Sequence, residues 1–299
     1  MKKLEGVITP LSTPMDEKER VDYDSLENLC NYLIEKGING LYPNGTTGEV
    51  IYLTLEERKK ILEHTIKAAA GRATVFSMVG AATTQDTIEL AQHAEKAGAD
   101  GIGVVTPYYF KLNDEELLFH YKRVSESVSS DYPVYLYAIP QMAVNDISVE
   151  LAERIADACP NVIGIKYSYP DMPRMLRFQE IREHTFSVLT GPDDLFYAML
   201  ASGGDGTISG NSNVIPEHYA AVYKAFQDGN YEEAAKLQAR TNMLNSIISG
   251  PNSLARYKAC LVHRDIIRCG RLRAPLTELP AVDAENMFRT LEELDYTRP

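Results

Sequence analysis

The residues best placed to do chemistry close short apolar runs or sit in the turns that follow them. In Val162-Ile163-Gly164-Ile165-Lys166-Tyr167-Ser168 a lysine ends a stretch of β-forming residues. An ammonium taken out of water gives up its proton more readily, so a lysine buried in such a run can act as an amine nucleophile. The competing reading is a lysine whose stem is buried while its head stays wet. Tyr137 lies in an earlier run of the same kind, Tyr135-Leu136-Tyr137-Ala138-Ile139-Pro140. A phenol within reach of an amine could shuttle the protons that a Schiff base needs as it forms and breaks. With 18 tyrosines in the chain, an ordinary packing role competes with that reading. Gly45-Thr46-Thr47-Gly48-Glu49 supplies two hydroxyls and several backbone N–H groups in a turn that suits a carboxylate or phosphate. It lacks the lysine and the glycine spacing of a P-loop, and turn chemistry alone explains its composition.

Other chemistries find less support. The six histidines are scattered and none falls at an expected strand end, which argues against a metal-dependent aldolase. No nucleophile elbow or dinucleotide fingerprint is present. Cys30, Cys159, Cys260 and Cys269 form no CxxC pair and read as scattered reduced thiols. The net charge of -12 argues against nucleic acid or an anionic membrane as partner, though a local pocket for a small anion stays open. Met1-Lys2-Lys3 is followed by a strand-like run rather than a signal peptide core, and no apolar run is long enough to span a bilayer. A soluble cytoplasmic protein is expected.

The elements that must position these residues alternate along the chain. Strands are expected over 6–10, 38–42, 74–80, 101–107, 133–140, 162–168, 186–190 and 206–210. Helices are expected between them, over about 24–36, 54–71, 84–97, 113–129, 148–158, 171–184 and 194–202, with an eighth from about 216. Thr54-Leu55-Glu56-Glu57 reads as a capping box, and Gly37, Gly71 and Gly98 as helix stops. Eight strand-then-helix units predict an α/β fold, a (β/α)8 TIM barrel, over a doubly wound open sheet. The barrel is expected over 1–224. A C-terminal helical extension is expected over 225–299, with helices at about 231–246, 253–267 and 283–294. In such a barrel the chemistry gathers at the C-terminal ends of the strands, where Thr46, Tyr109, Tyr137, Lys166, Gly191 and Ser209 all fall.

The motifs Gly45-Thr46-Thr47-Gly48-Glu49, Thr54-Leu55-Glu56-Glu57-Arg58, Thr106-Pro107-Tyr108-Tyr109, Tyr137-Xaa-Xaa-Pro140, Gly164-Ile165-Lys166 and Gly203-Gly204-Asp205-Gly206 occur in that order. Together they resemble the dihydrodipicolinate synthase/N-acetylneuraminate lyase family of pyruvate-dependent class I aldolases, over nearly the whole chain. The resemblance implies that Lys166 forms a Schiff base with the keto carbon of pyruvate. It implies Tyr137 as general acid/base, positioned through Thr46, and Tyr109 as the end of a hydroxyl relay contributed by a neighbouring subunit. Thr46 and Thr47 would hold the pyruvate carboxylate, and Gly191 and Ile208 would line the pyruvate pocket. A homotetramer built as a dimer of dimers is implied, with pyruvate and an aldehyde or keto-deoxy acid as substrates. No cofactor and no metal are implied.

Two departures bear on the substrate. Synthases of this family carry an arginine five positions after the strand-five tyrosine, where this chain has Met142, and the asparagine that commonly follows the tyrosine is Ala138. Loss of a bidentate carboxylate clamp is not a conservative change. Ser168 matches a hydroxyl position typical of sugar-acid lyases, and Ser209, Asn211 and Ser212 add groups suited to a polyol. The expected activity is therefore aldol cleavage or formation on a 2-keto-3-deoxy sugar acid or sialic-acid-like compound. Dihydrodipicolinate synthase activity, a keto-deoxy diacid dehydratase and a non-catalytic pyruvate-binding regulator are the alternatives.

Overall fold

The computed structural model describes all 299 residues. Its eight strands are β1 (Gly6–Pro10), β2 (Gly40–Tyr42), β3 (Thr74–Met78), β4 (Gly101–Val105), β5 (Val134–Ala138), β6 (Val162–Tyr167), β7 (Ser187–Thr190) and β8 (Gly206–Ile208). They form a closed barrel in the order β1 to β8, and the expected (β/α)8 architecture holds over the open sheet. Every strand is buried along its length but for Thr74 at the start of β3, as required of parallel strands whose outer faces are covered by helices.

The chain gathers into two compact units, Met1–Glu5 with Thr74–Ile208, and Gly6–Ala73 with Ser209–Pro299. The first unit holds β3 to β8, paired parallel in sequence order. The register of β5 on β6 sets Tyr137 directly opposite Lys166. The second unit holds β1 and β2, paired parallel, and the helices that end the chain, Pro216–Gln227, Tyr231–Ile248, Ser253–His263 and Ala281–Glu293. No helix is long and apolar enough to cross a membrane.

Most helix ends fall where the sequence signals put them. Thr54 and Glu57 form the reciprocal capping box that opens the helix Leu55–Ala69. Gly37 and Gly98 take the left-handed conformation, at φ 88° each, just past the helices Tyr23–Glu35 and Thr84–Ala97. The helix expected over 171–184 is a departure. It stops at Gln179, and Arg182, Glu183 and His184 follow with φ of 50°, 54° and 65°. The left-handed turn frees the Arg182 guanidinium to reach the carbonyls of Cys159, Pro160 and Val162, which end the preceding helix and open β6. Strands β3, β4, β5, β6 and β8 end one or two residues earlier than expected, and the residues beyond them, among them Pro107, Pro140, Ser168 and Ser209, already belong to the segments that follow.

Candidate active site

Lys166 is the last residue but one of β6 and is only 5% exposed. Tyr137 holds the matching position on β5 and is 1% exposed. The register brings the Lys166 Nζ to 4.1 Å from the centre of the Tyr137 ring. At a strand end the lysine thus stays inside rather than snorkelling to water. Amine and phenol share one surface of the sheet because residues paired across parallel strands project their side chains the same way.

The turn after β6 packs closely on the turn after β7. Ser168 N donates to Ala138 O at 2.9 Å, and Gly191 N donates to Tyr167 O at 2.9 Å. A β-carbon on Gly191 would lie 2.7 Å from the Ser168 Cα and closer still to its hydroxyl, so only glycine fits there. Ser168 is half-buried, and its carbonyl accepts from Gln141 Nε2 at 2.7 Å. Ile208 ends β8, buried at 2% exposure. Met142 lies in the short helix Pro140–Ala143 and is 65% exposed, so no carboxylate clamp replaces the missing arginine at that position.

Tyr109 stands apart from these buried groups. It is 81% exposed at φ 80°, edge-on to Phe110, which is itself 73% exposed. The loop that displays both rings is tied down by Asn145, a residue that no sequence signal singled out. The buried Asn145 amide donates to Pro107 O at 2.7 Å and Phe110 O at 2.8 Å, and its oxygen accepts from Leu112 N at 2.8 Å.

In the second unit Thr46 and Thr47, both half-buried, form the one-turn helix Thr46–Gly48 that follows β2. Gly48 is needed here, since a β-carbon would meet Leu11 O at 2.9 Å and Thr13 Oγ1 at 3.0 Å. Thr13 Oγ1 donates to Gly48 O at 2.8 Å, which pins the turn to the loop after β1. The groups read as suited to a polyol after β8 are committed elsewhere. Ser209, Asn211 and Ser212 are fully buried. Ser212 Oγ bonds Thr9 Oγ1 and Ser209 O, and Asn211 exchanges hydrogen bonds with the Ser249 hydroxyl.

Two further charged constellations were not legible from the sequence. Arg174 reaches Asp146 and the Tyr167 hydroxyl, each at 2.5 Å, and Asp171 at 3.2 Å. Its charge is met locally, while burial pushes the Tyr167 phenol up to about 12. Lys258 forms an ion pair with Glu49 at 2.5 Å, with side chains 1% and 0% exposed. The hint was a lysine in the apolar surroundings Tyr257, Cys260 and Leu261, but nothing local named its partner.

The family model described as the dihydrodipicolinate synthetase family matches residues 3–294. The chain belongs to that family. It is 37% identical to a DapA-like lyase of Pyrococcus horikoshii over 294 residues, covering 97% of this chain and 99% of that protein. It is also 37% identical to the 4-hydroxy-tetrahydrodipicolinate synthase of Brucella abortus over 294 residues, covering 97% and 98%. Among solved structures it resembles the Escherichia coli K12 prophage protein YagE in complex with pyruvate, with a TM-score of 0.92, 30% identity and coverage of 98% and 99%. The dihydrodipicolinate synthase of Aquifex aeolicus matches with a TM-score of 0.92, 32% identity and coverage of 99% of each chain. As a member of the dihydrodipicolinate synthetase family the protein is a lyase of the aldolase type.

Proposed function

We propose that the chain is a Schiff-base-forming pyruvate lyase acting on a 2-keto-3-deoxy sugar acid or sialic-acid-like compound in the cytoplasm. The observation that carries the chemistry is the buried amine of Lys166 set 4.1 Å from the ring of its cross-strand neighbour Tyr137. The amine adds to C2 of pyruvate and water leaves, giving an imine whose protonated form is an electron sink. Loss of a proton from C3 yields an enamine, which attacks an aldehyde; in the reverse direction, cleavage of the keto acid releases that aldehyde. Tyr137 carries the protons between these steps. Thr46 and Thr47 hold the pyruvate carboxylate, Gly191 and Ile208 line the pocket, and Ser168 meets the acceptor.

The acceptor class rests on Met142 and Ala138, which leave the strand-five turn without a guanidinium. Both cations of the neighbouring helix Met172–Gln179 are paired, Arg174 with Asp146 and Asp171 and Arg177 with Glu150. An acceptor with hydroxyls near that turn suits these surroundings better than one with a second carboxylate. A second reading, condensation of pyruvate with aspartate semialdehyde, is favoured by the 37% identity to the Brucella synthase. The exposed pair Tyr109 and Phe110 supports assembly with further copies of the chain, since water-facing aromatic rings held on a braced loop suit a partner surface.

Borohydride reduction in the presence of pyruvate should give a covalent adduct on Lys166 that Lys166→Ala abolishes. No adduct on the wild-type protein would overturn the reading. A panel of 2-keto-3-deoxy sugar acids and N-acetylneuraminate, beside pyruvate with aspartate semialdehyde, separates the two acceptors. Pyruvate release from a sugar acid supports the first, and condensation with the semialdehyde alone the second.

A further inference from the structure

The buried ion pair of Glu49 and Lys258 lies outside every role assigned above, yet Glu49 ends the turn that presents Thr46 and Thr47. Its backbone is left-handed, at φ 61°, which is strained for a residue with a side chain. Glu49 N donates to Thr46 O at 3.1 Å, and Tyr52 N donates to Glu49 O at 2.9 Å, so this residue is the joint between two successive tight turns. Its carboxylate is held from two directions. Lys258 Nζ lies 2.5 Å from Oε1, and Arg273 N donates to Oε2 at 3.0 Å. The ammonium also donates to Arg271 O at 2.8 Å. Lys258 belongs to the helix Ser253–His263, and Tyr257, the residue before it in that helix, flanks the same turn. A β-carbon on Gly210 would meet the Tyr257 hydroxyl at 3.1 Å and Thr47 Oγ1 at 3.3 Å.

We propose that Lys258 is a positioning residue for substrate-carboxylate binding, holding Glu49 and through it the Thr46–Thr47 turn in the conformation that accepts the anion. It does so in two ways. It fixes the side chain that keeps a strained joint in place. It also cancels a carboxylate charge that would otherwise lie buried behind a turn meant to receive another carboxylate. Burial pushes the Lys258 ammonium below the ordinary lysine range, and the Glu49 carboxylate opposes that shift.

This inference rests on the pyruvate-imine reading, and the readout separates the two. The measurement is the pyruvate concentration that half-saturates borohydride trapping, together with kcat at saturating pyruvate, for the intact protein. Lys258→Met should raise half-saturation by about tenfold or more, as expected when a buried charge loses its partner, with a much smaller change in kcat. Glu49→Gln combined with Lys258→Met should recover most of that loss, because the amide oxygen still accepts from Arg273 N and no charge is left unpaired. Glu49→Asp keeps both charges but shortens the reach. It should raise half-saturation several-fold, and it serves as the test if Lys258→Met does not fold. A folded Lys258→Met or Glu49→Asp variant with wild-type half-saturation overturns the proposal, as does a loss confined to kcat. Wild-type protein that is not trapped at all would instead fail the imine reading itself.

Discussion

Replacing Asn145 by alanine removes three hydrogen bonds at once from the loop that displays Tyr109. The bonds to Pro107 O, Phe110 O and Leu112 N measure 2.7, 2.8 and 2.8 Å, and Asn145 is fully buried. A buried polar group left without a partner costs about 1–3 kcal/mol. Phe110 is exposed, so water can re-pair part of this loop, and the low end of that range applies to each bond. The total is then about 3 kcal/mol of stability. Asn145→Asp should be at least as harmful. It keeps the acceptor for Leu112 N but sets a carboxylate against two carbonyl oxygens. Urea denaturation with an unchanged m-value is the assay, and trypsin cleavage after Lys111 reports the loosened loop directly. Freed of its brace, Tyr109 should leave the left-handed region it now occupies at φ 80°. A loss below about 1 kcal/mol, with no faster cleavage at Lys111, would refute the reasoning.

Tyr137→Phe should fold normally and still form the Lys166 adduct slowly, while kcat falls by about 100-fold or more, the range of a lost proton shuttle. Unchanged steady-state kinetics would remove its assigned role. Burial holds His120 down at about 4 against an ordinary 6.5, with Nδ1 on Thr84 Oγ1 and Nε2 without a partner. As pH falls the unfolded chain takes up this proton first. Stability is therefore lost between about pH 6.5 and about pH 4, by on the order of 3 kcal/mol. His120→Gln should flatten that slope in pH-resolved denaturation, and an identical slope would show that other groups set it. Sedimentation velocity of the intact protein should give a species of four chains of 33.4 kDa each. A monomer with Tyr109 still exposed would contradict the assembly.

The order of eight strands and their helices was legible in the sequence because its signals are local. Apolar runs of strand length, the Thr54–Glu57 box and the glycines at 37 and 98 each act within a few residues of themselves. Lys166 and Tyr137 could be singled out for the same reason, since a polar group inside an apolar run is visible in one dimension. What faces what was not. The setting of Tyr137 opposite Lys166 depends on the register of β5 on β6, which includes an irregularity between Val134 and Tyr135 that no pattern of alternation reveals. The polar groups after β8 looked available for a ligand and are instead consumed by Thr9 and Ser249. Glu49 stood only as the end of a motif and Lys258 as one charge on a long helical stretch, yet the two are buried as a pair. Burying a charge is tolerable only with its partner in place, and where that partner lies is decided by the folding of distant segments onto one another. The sequence by itself determined the elements and the chemistry-bearing residue types. The tertiary structure alone decided which of those residues meet, because pairing across space follows from register and packing rather than from neighbours along the chain.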